Sequence, residues 1–193
     1  AKEGVVDEYQ VHPDKVTVIP PGVNVTAWTR PEPRHFHDGP VKILFVGGNL
    51  ERKGGLLLLA AWRNLRATAV PNLELHLVTR DPVPAEPGLF VYNAMQPNSD
   101  PLKQLYFAAD VFCLPTYGDC LPMVLSEAGA AGLPVVSTAV AAIPEIVADG
   151  ATGFLVPTGD VGALTHTLQQ LVENPELRLR QGETAVAKVQ QTF

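Results

Sequence analysis

The chain is 193 residues long, 46% hydrophobic and 18% charged, with a mean hydropathy of +0.11, a composition that supports a packed core and excludes disorder as the main state. A net charge of −6 argues against the broad basic face that nucleic-acid backbone binding needs, yet leaves room for the few local donors a nucleotide takes. The longest apolar stretch, Leu56 to Trp62, falls far short of the about 18 residues of a membrane span. Residues 1–40 carry Pro13, Pro20, Pro21, Pro31, Pro33 and Pro40 around one apolar run, Val16 to Ile19. That pattern predicts a hinge strand followed by an exposed, proline-rich connection through Arg34, His35 and His37. From Val41 the texture changes, and residues 41–193 read as one domain. Short β-rich runs predict strands at Lys42–Val46, Leu73–Val78, Leu89–Tyr92, Asp110–Leu114, Pro134–Ser137 and Phe154–Val156. Between them, Leu58, Ala61, Trp62 and Leu65 share one helical stripe, and Leu102, Leu105, Tyr106 and Ala109 another. Further helices are predicted over Leu121–Ala131, Asp160–Glu173 and Glu176–Gln191, with Asn174-Pro175 as a break. Continuous apolar strands alternating with helices predict a parallel, doubly wound α/β sheet of about six strands, buried on both faces.

Two cysteines, Cys113 and Cys120, are too few for a disulfide framework or a zinc site and read as reduced thiols. With no charged-then-apolar leader, the expected location is cytoplasmic. The opening at Ala1 suits a processed or excised piece.

In open α/β sheets ligands bind beyond the carboxyl ends of the strands, and two loops so placed are rich in special residues. Gly47-Gly48-Asn49-Leu50-Glu51-Arg52-Lys53-Gly54-Gly55 follows the first core strand. Its glycines let backbone approach a ligand, and Lys53 opens a helix. It lacks the Gly-Lys-Ser/Thr ending of a P-loop and the G-x-G-x-x-G of a dinucleotide site, so a tight turn with a solvated basic pair is the competing reading. Pro115 to Ala128 is the second loop. Pro122 suits a first helical turn, leaving N–H groups and the positive helix end aimed outward as an anion site. Glu127 then lies about 7.5 Å along the helix, roughly the offset between a diphosphate and its ribose. Asp119 as a helix cap and Glu127 as a solvated face residue form the plainer alternative.

With these residues in view, the segment Pro115 to Thr138 resembles the signature of family-four retaining glycosyltransferases, which have the GT-B fold. Their E-x7-E motif reads here Asp119-x7-Glu127, followed by Gly132-Leu133-Pro134-Val135-Val136. VTVIPPGVN resembles the family's hinge run, KILFVGGNLERKGG its phosphate loop, and IPEIVADGATGFLVPTGD its closing segment. The resemblance implies one half of a GT-B fold, the donor-binding half, of an enzyme moving a sugar from a nucleoside diphosphate sugar to an acceptor hydroxyl. It makes Glu127 the ribose-binding carboxylate, Asp119 the sugar-proximal acid, and Lys53 the phosphate lysine. Backbone around Cys120, Leu121, Pro122, Met123 and Val124 would take the diphosphate. Gly47 and Gly48 would line it, although the family's usual arginine falls at Gly48, for which Arg52 is the expected substitute. Tyr92 and Asn93 match the loop bordering the base. Arg80 touches base or phosphate on one reading and is a solvated loop cation on the other. The resemblance further implies no metal or other cofactor, an acceptor-binding half as partner, and membrane contact only through that half. The rival is a non-catalytic nucleotide-sugar-binding or scaffolding module of the same fold. Histidines offer less: His76 reads as a satisfied sheet residue and His166 as the outer side of a helix, while His35 and His37 flank Phe36.

Overall fold

Parallel strands bury both faces only when helices cover them, and the alternating pattern supplies those helices. The computed structural model describes every residue except Ala1, Val18, Pro20, Phe36, Ala69 and Pro71, together with the side chain of Glu3. Its strands are β1 (Val41–Val46), β2 (Leu73–Val78), β3 (Leu89–Tyr92), β4 (Val111–Leu114), β5 (Val135–Thr138) and β6 (Gly153–Val156). They form a six-stranded sheet ordered β3-β2-β1-β4-β5-β6 with every neighbouring pair parallel. The doubly wound expectation holds. β4 and β5 are buried throughout, whereas β2 and β3 alternate or open toward the sheet edge. Burial on both faces is therefore a property of the centre, because an edge strand has a neighbour on one side only.

Eight α-helices lie among the described residues: α1 (Lys2–Tyr9), α2 (Val25–Trp28), α3 (Gly55–Thr68), α4 (Asp100–Ala108), α5 (Met123–Ala130), α6 (Ile143–Ile146), α7 (Val161–Glu173) and α8 (Pro175–Thr192). α3 packs against α7, and α5 against α8. The predicted break between α7 and α8 is a shared cap. Asn174 Oδ1 accepts from Leu177 N (2.9 Å), and the Arg178 guanidinium donates to the carbonyls of Leu171 (2.7 Å) and Val172 (2.8 Å). Trp62, Tyr106, Phe45 and Phe112 are the largest fully buried side chains. Both thiols are free: Cys113 is buried in β4, where desolvation pushes its pKa up, and Cys120 is exposed.

The first forty residues differ most from the sequence expectation. Val16, Thr17 and Ile19 belong to no strand, Val18 lying outside the described residues. A strand needs a neighbour for its ladder, and the flanking prolines supply no donors. The short helix α2, capped by the Asn24 side chain on Ala27 N (3.1 Å), instead drives Trp28 into the core, where it is 2% exposed. Trp28 meets Tyr106 edge-on at 4.9 Å. Arg34 is no solvated linker residue either. Its guanidinium donates to the carbonyls of Ala109, Tyr106 (2.9 Å) and Ala131 (3.0 Å), tying the proline-rich segment to the domain. Burial lowers its pKa to about 10, so it remains charged at neutral pH. His35 and His37 are exposed, with His37 Nε2 2.9 Å from Asp110 Oδ1.

Candidate functional site

The chain steps from β1 outward to β2 and β3, then returns to β4 on the other side of β1. The loops leaving β1 and β4 therefore diverge at the switch point of the sheet, where a crevice opens. They are the two loops singled out by the sequence, and they are stapled together. The Arg52 carbonyl accepts from Tyr117 N (3.0 Å) and Thr116 Oγ1 (3.2 Å), while its guanidinium donates to the Gly118 carbonyl (2.8 Å). Gly54 has φ +74°, and a Cβ there would overlap the Pro115 carbonyl oxygen, so only glycine lets the loops meet this closely.

Lys53 Nζ and Asp119 Oδ2 form an ion pair across the loops, with side chains 15% and 14% exposed. Asp119 is thus not a helix cap, and no side chain caps α5. Pro122 is the cap residue itself, one position before the first turn that its ring was expected to occupy. Cys120 and Leu121 lead into it; Met123 and Val124 are the first helical residues. The uncapped end carries the positive pole of the helix and its unbonded amides.

Glu127 lies one turn further on and is half-buried rather than solvated. Tyr106, fully buried, donates its hydroxyl to Glu127 Oε2 at 3.1 Å. Desolvation raises the Glu127 pKa above the ordinary value of 4.5, and the Tyr106 hydrogen bond partly opposes that rise. Glu127 faces a cleft of about 190 Å³ whose walls include Gly47, Gly48, Arg80, Tyr92, Asn93 and Val124. Seven of the sequence-selected residues, on four separate loops or elements, therefore meet at one cleft. Lys53 borders it through Gly47, where a Cβ would lie 3.0 Å from Lys53 Cβ. Arg52 sits apart, beside Leu56 and Tyr117 in a second, open depression.

Sequence reasoning missed the parts that Asp81, Glu74 and Tyr106 play in holding this arrangement. Asp81 Oδ2 accepts from Leu50 N (2.6 Å), tying the loop after β2 to the loop after β1. The Asn93 amide donates to the carbonyls of Thr79 (3.2 Å) and Asp81 (3.0 Å). Tyr92 OH lies 3.0 Å from His76 Nδ1, and His76 Nε2 lies 3.1 Å from Glu74 Oε2. His76 is thus partnered, and burial lowers its pKa. Only Tyr106 left a signal in the sequence: a phenol on an apolar helical stripe must find a partner for its hydroxyl.

The model of the family described as "Glycosyl transferases group 1" matches residues 40–174. The chain belongs to the group 1 glycosyltransferases. It is 31% identical to a D-inositol 3-phosphate glycosyltransferase of Streptomyces coelicolor, over 96% of this chain and 49% of that protein. Among solved structures, sucrose-phosphate synthase from Thermosynechococcus elongatus superposes with a TM-score of 0.80 at 25% identity, over all of this chain and 52% of that one. Anabaena Alr3699/HepE in complex with UDP gives 0.77 at 16% identity, over 97% and 56%. The group 1 domain described here thus has the GT-B type of sheet, and it spans about half the length of the curated relatives it matches. Among the described residues no helix is long and apolar enough to cross a membrane.

Proposed function

We propose that this chain is the donor-binding half of a retaining glycosyltransferase that moves a hexosyl group from a nucleoside diphosphate sugar to an acceptor hydroxyl. The observation that carries the reading is Glu127, a desolvated carboxylate fixed by Tyr106 on a cleft wall just behind an uncapped helix N-terminus. A carboxylate there can bridge two ribose hydroxyls while the amides at Met123 and Val124 meet the diphosphate. The relatives' names support sugar transfer, and the UDP complex of a structural neighbour supports a nucleotide as the ligand class.

Lys53 supplies positive charge for the departing diphosphate, and electrostatic stabilisation of that leaving group is the main contribution this half would make to the rate. The donors around the phosphates are cationic side chains and backbone amides, so no metal enters the proposal. Asp119, released from Lys53 when phosphate arrives, would face the sugar. Acceptor recognition, and any contact with a membrane surface, belongs to a second half. Accordingly, the 193-residue chain should bind a nucleoside diphosphate without turnover. Titration calorimetry with UDP, GDP and ADP tests this: one of the three should bind, and Glu127→Gln should weaken it by about tenfold or more, the worth of charge-assisted hydrogen bonds. Binding of none, or affinity indifferent to Glu127→Gln, would sink the assignment.

A further inference from the structure

The charge on a bound diphosphate must be met by groups that are free to meet it, and the cations near the cleft are not equally free. The Arg52 guanidinium is spent on the Gly118 carbonyl at 2.8 Å, which serves the junction of the two loops. Lys53 already holds Asp119. Among the described residues, no hydrogen bond or ion pair holds the guanidinium of Arg80, and Arg80 lines the same cleft as Glu127.

Three local features aim it there. Gly48 lies beside it: a Cβ at Gly48 would sit 3.5 Å from Arg80 Nε, 3.7 Å from Cζ and 3.9 Å from Cδ. The Arg80 side chain therefore runs across the surface of the loop after β1, over the one position there whose lack of a side chain leaves its far end open. Second, Arg80 stands between two fastened residues. Thr79 Oγ1 accepts from Asp81 N (3.2 Å), Asp81 holds Leu50 N, and Asn93 holds both Thr79 and Asp81 by their carbonyls. The backbone that carries Arg80 is thus clamped to both walls of the cleft, and little ordering is left for binding to impose. Third, Arg80 and Glu127 line one cleft together with Gly47 and Gly48, so one ligand can present hydroxyls to the carboxylate and an anionic group to the guanidinium.

We propose that Arg80 is the principal side-chain cation for the diphosphate in this protein, gripping it over Gly48, and that Arg52 is a loop staple with no part in ligand binding. This rests on the donor-binding reading above and fixes what the sequence left open for Arg80. A planar guanidinium with donors to spare suits a phosphate oxygen pair better than an ammonium already engaged with a carboxylate.

The test is calorimetry of the 193-residue chain with UDP and uridine, or with GDP and guanosine or ADP and adenosine if the parent prefers those. Arg80→Ala should weaken the diphosphate by about tenfold or more and leave the nucleoside within about twofold. Arg80→Lys should lie between. Arg52→Ala should leave the diphosphate-to-nucleoside ratio unchanged while lowering Tm. Gly48→Arg in the Arg80→Ala background should restore most of the lost affinity, because the φ at Gly48 lies outside the left-handed region and the vacated space accepts a guanidinium at the same locus. A purely conformational role for Arg80 would not be rescued from a different loop. Equal losses for diphosphate and nucleoside would move Arg80 to the base; no loss would make it a solvated cation; a selective loss in Arg52→Ala alone would reverse the two roles. Failure of rescue in a double variant with the parent's Tm would tie the effect to loop shape. Each of these overturns the Arg80 assignment while leaving the function standing, whereas a parent chain that binds none of the three diphosphates overturns both.

Discussion

Glu127 is a group whose surroundings oppose its charge. Burial holds its pKa above the unfolded value, so the native state keeps the proton more tightly. The stability it contributes is complete below the unfolded pKa and is lost as pH rises through the raised folded one. Ionised Glu127 is therefore a cost to the empty domain at neutral pH, and Glu127→Gln should have a Tm equal to or above the parent's while binding nucleotide poorly; a scanning-calorimetry trace with a clearly lower Tm would contradict this. The ribose contact proposed for Glu127 needs the ionised form, so affinity should fall on acidification from a pH above the ordinary carboxylate range. In Tyr106→Phe the hydrogen bond that lowers the pKa is gone, and the fall should begin at a higher pH still; coincident pH profiles for parent and variant would dissociate Tyr106 from the site. The Lys53–Asp119 pair makes a second prediction. A diphosphate competes with Asp119 for the ammonium, so Asp119→Asn should tighten nucleoside diphosphate binding by about fivefold, the worth of roughly 1 kcal/mol for a pair of this kind. Lys53→Ala should weaken it, and the nucleoside should respond to neither.

The loops after β1 and β4 are independent in sequence, and their junction is what makes them one site. Gly54 carries that junction through a left-handed φ and through contact with Pro115 that a Cβ would obstruct. Gly54→Ala should cost about 2 kcal/mol or more from the backbone conformation and the overlap together, and should part the loops. Urea unfolding would report the loss of stability, and ligand titration the accompanying loss of affinity; a variant as stable as the parent would show that the loops can re-route. The core elements were legible because each has a period. Apolar runs bounded by Gly and Pro placed all six strands within a residue or so of their ends, the stripes of α3, α4 and α7 follow helical spacing, and Asn174-Pro175 marked where α8 begins. α1, α2 and α6 were not legible. α2 and α6 have four residues each, too few to display a period, and α1 presents no apolar stripe to a core.

Seen whole, the sheet is closed at the pole opposite the cleft by a segment that reads as linker. Arg34 gathers three backbone carbonyls from the ends of α4 and α5, and Trp28 stacks edge-on against the same Tyr106 that holds Glu127. Arg34→Ala would leave those buried acceptors without partners, at about 1 kcal/mol each. A fall in Tm of about 6–12 °C is expected for a domain of this size. Limited proteolysis should then cut near residues 29–40, where the parent resists; unchanged Tm and cleavage would show that water replaces the guanidinium. The sequence by itself determined the parallel α/β class, the two loops at the switch point, and the pairing of a carboxylate with a helix N-terminus, because periodicity and Gly-Pro punctuation are local properties of the chain. It could not determine partners. That Asp119 holds Lys53, that Arg52 serves Gly118 and leaves Arg80 lying open over Gly48, that Asp81 ties two crossovers together, and that Arg34 is buried all depend on which residues far apart in the chain arrive at the same place. Only the tertiary structure decided these, since a cation's role is fixed by the acceptor nearest to it in space, and sequence spacing carries no record of that acceptor once a strand and a helix intervene.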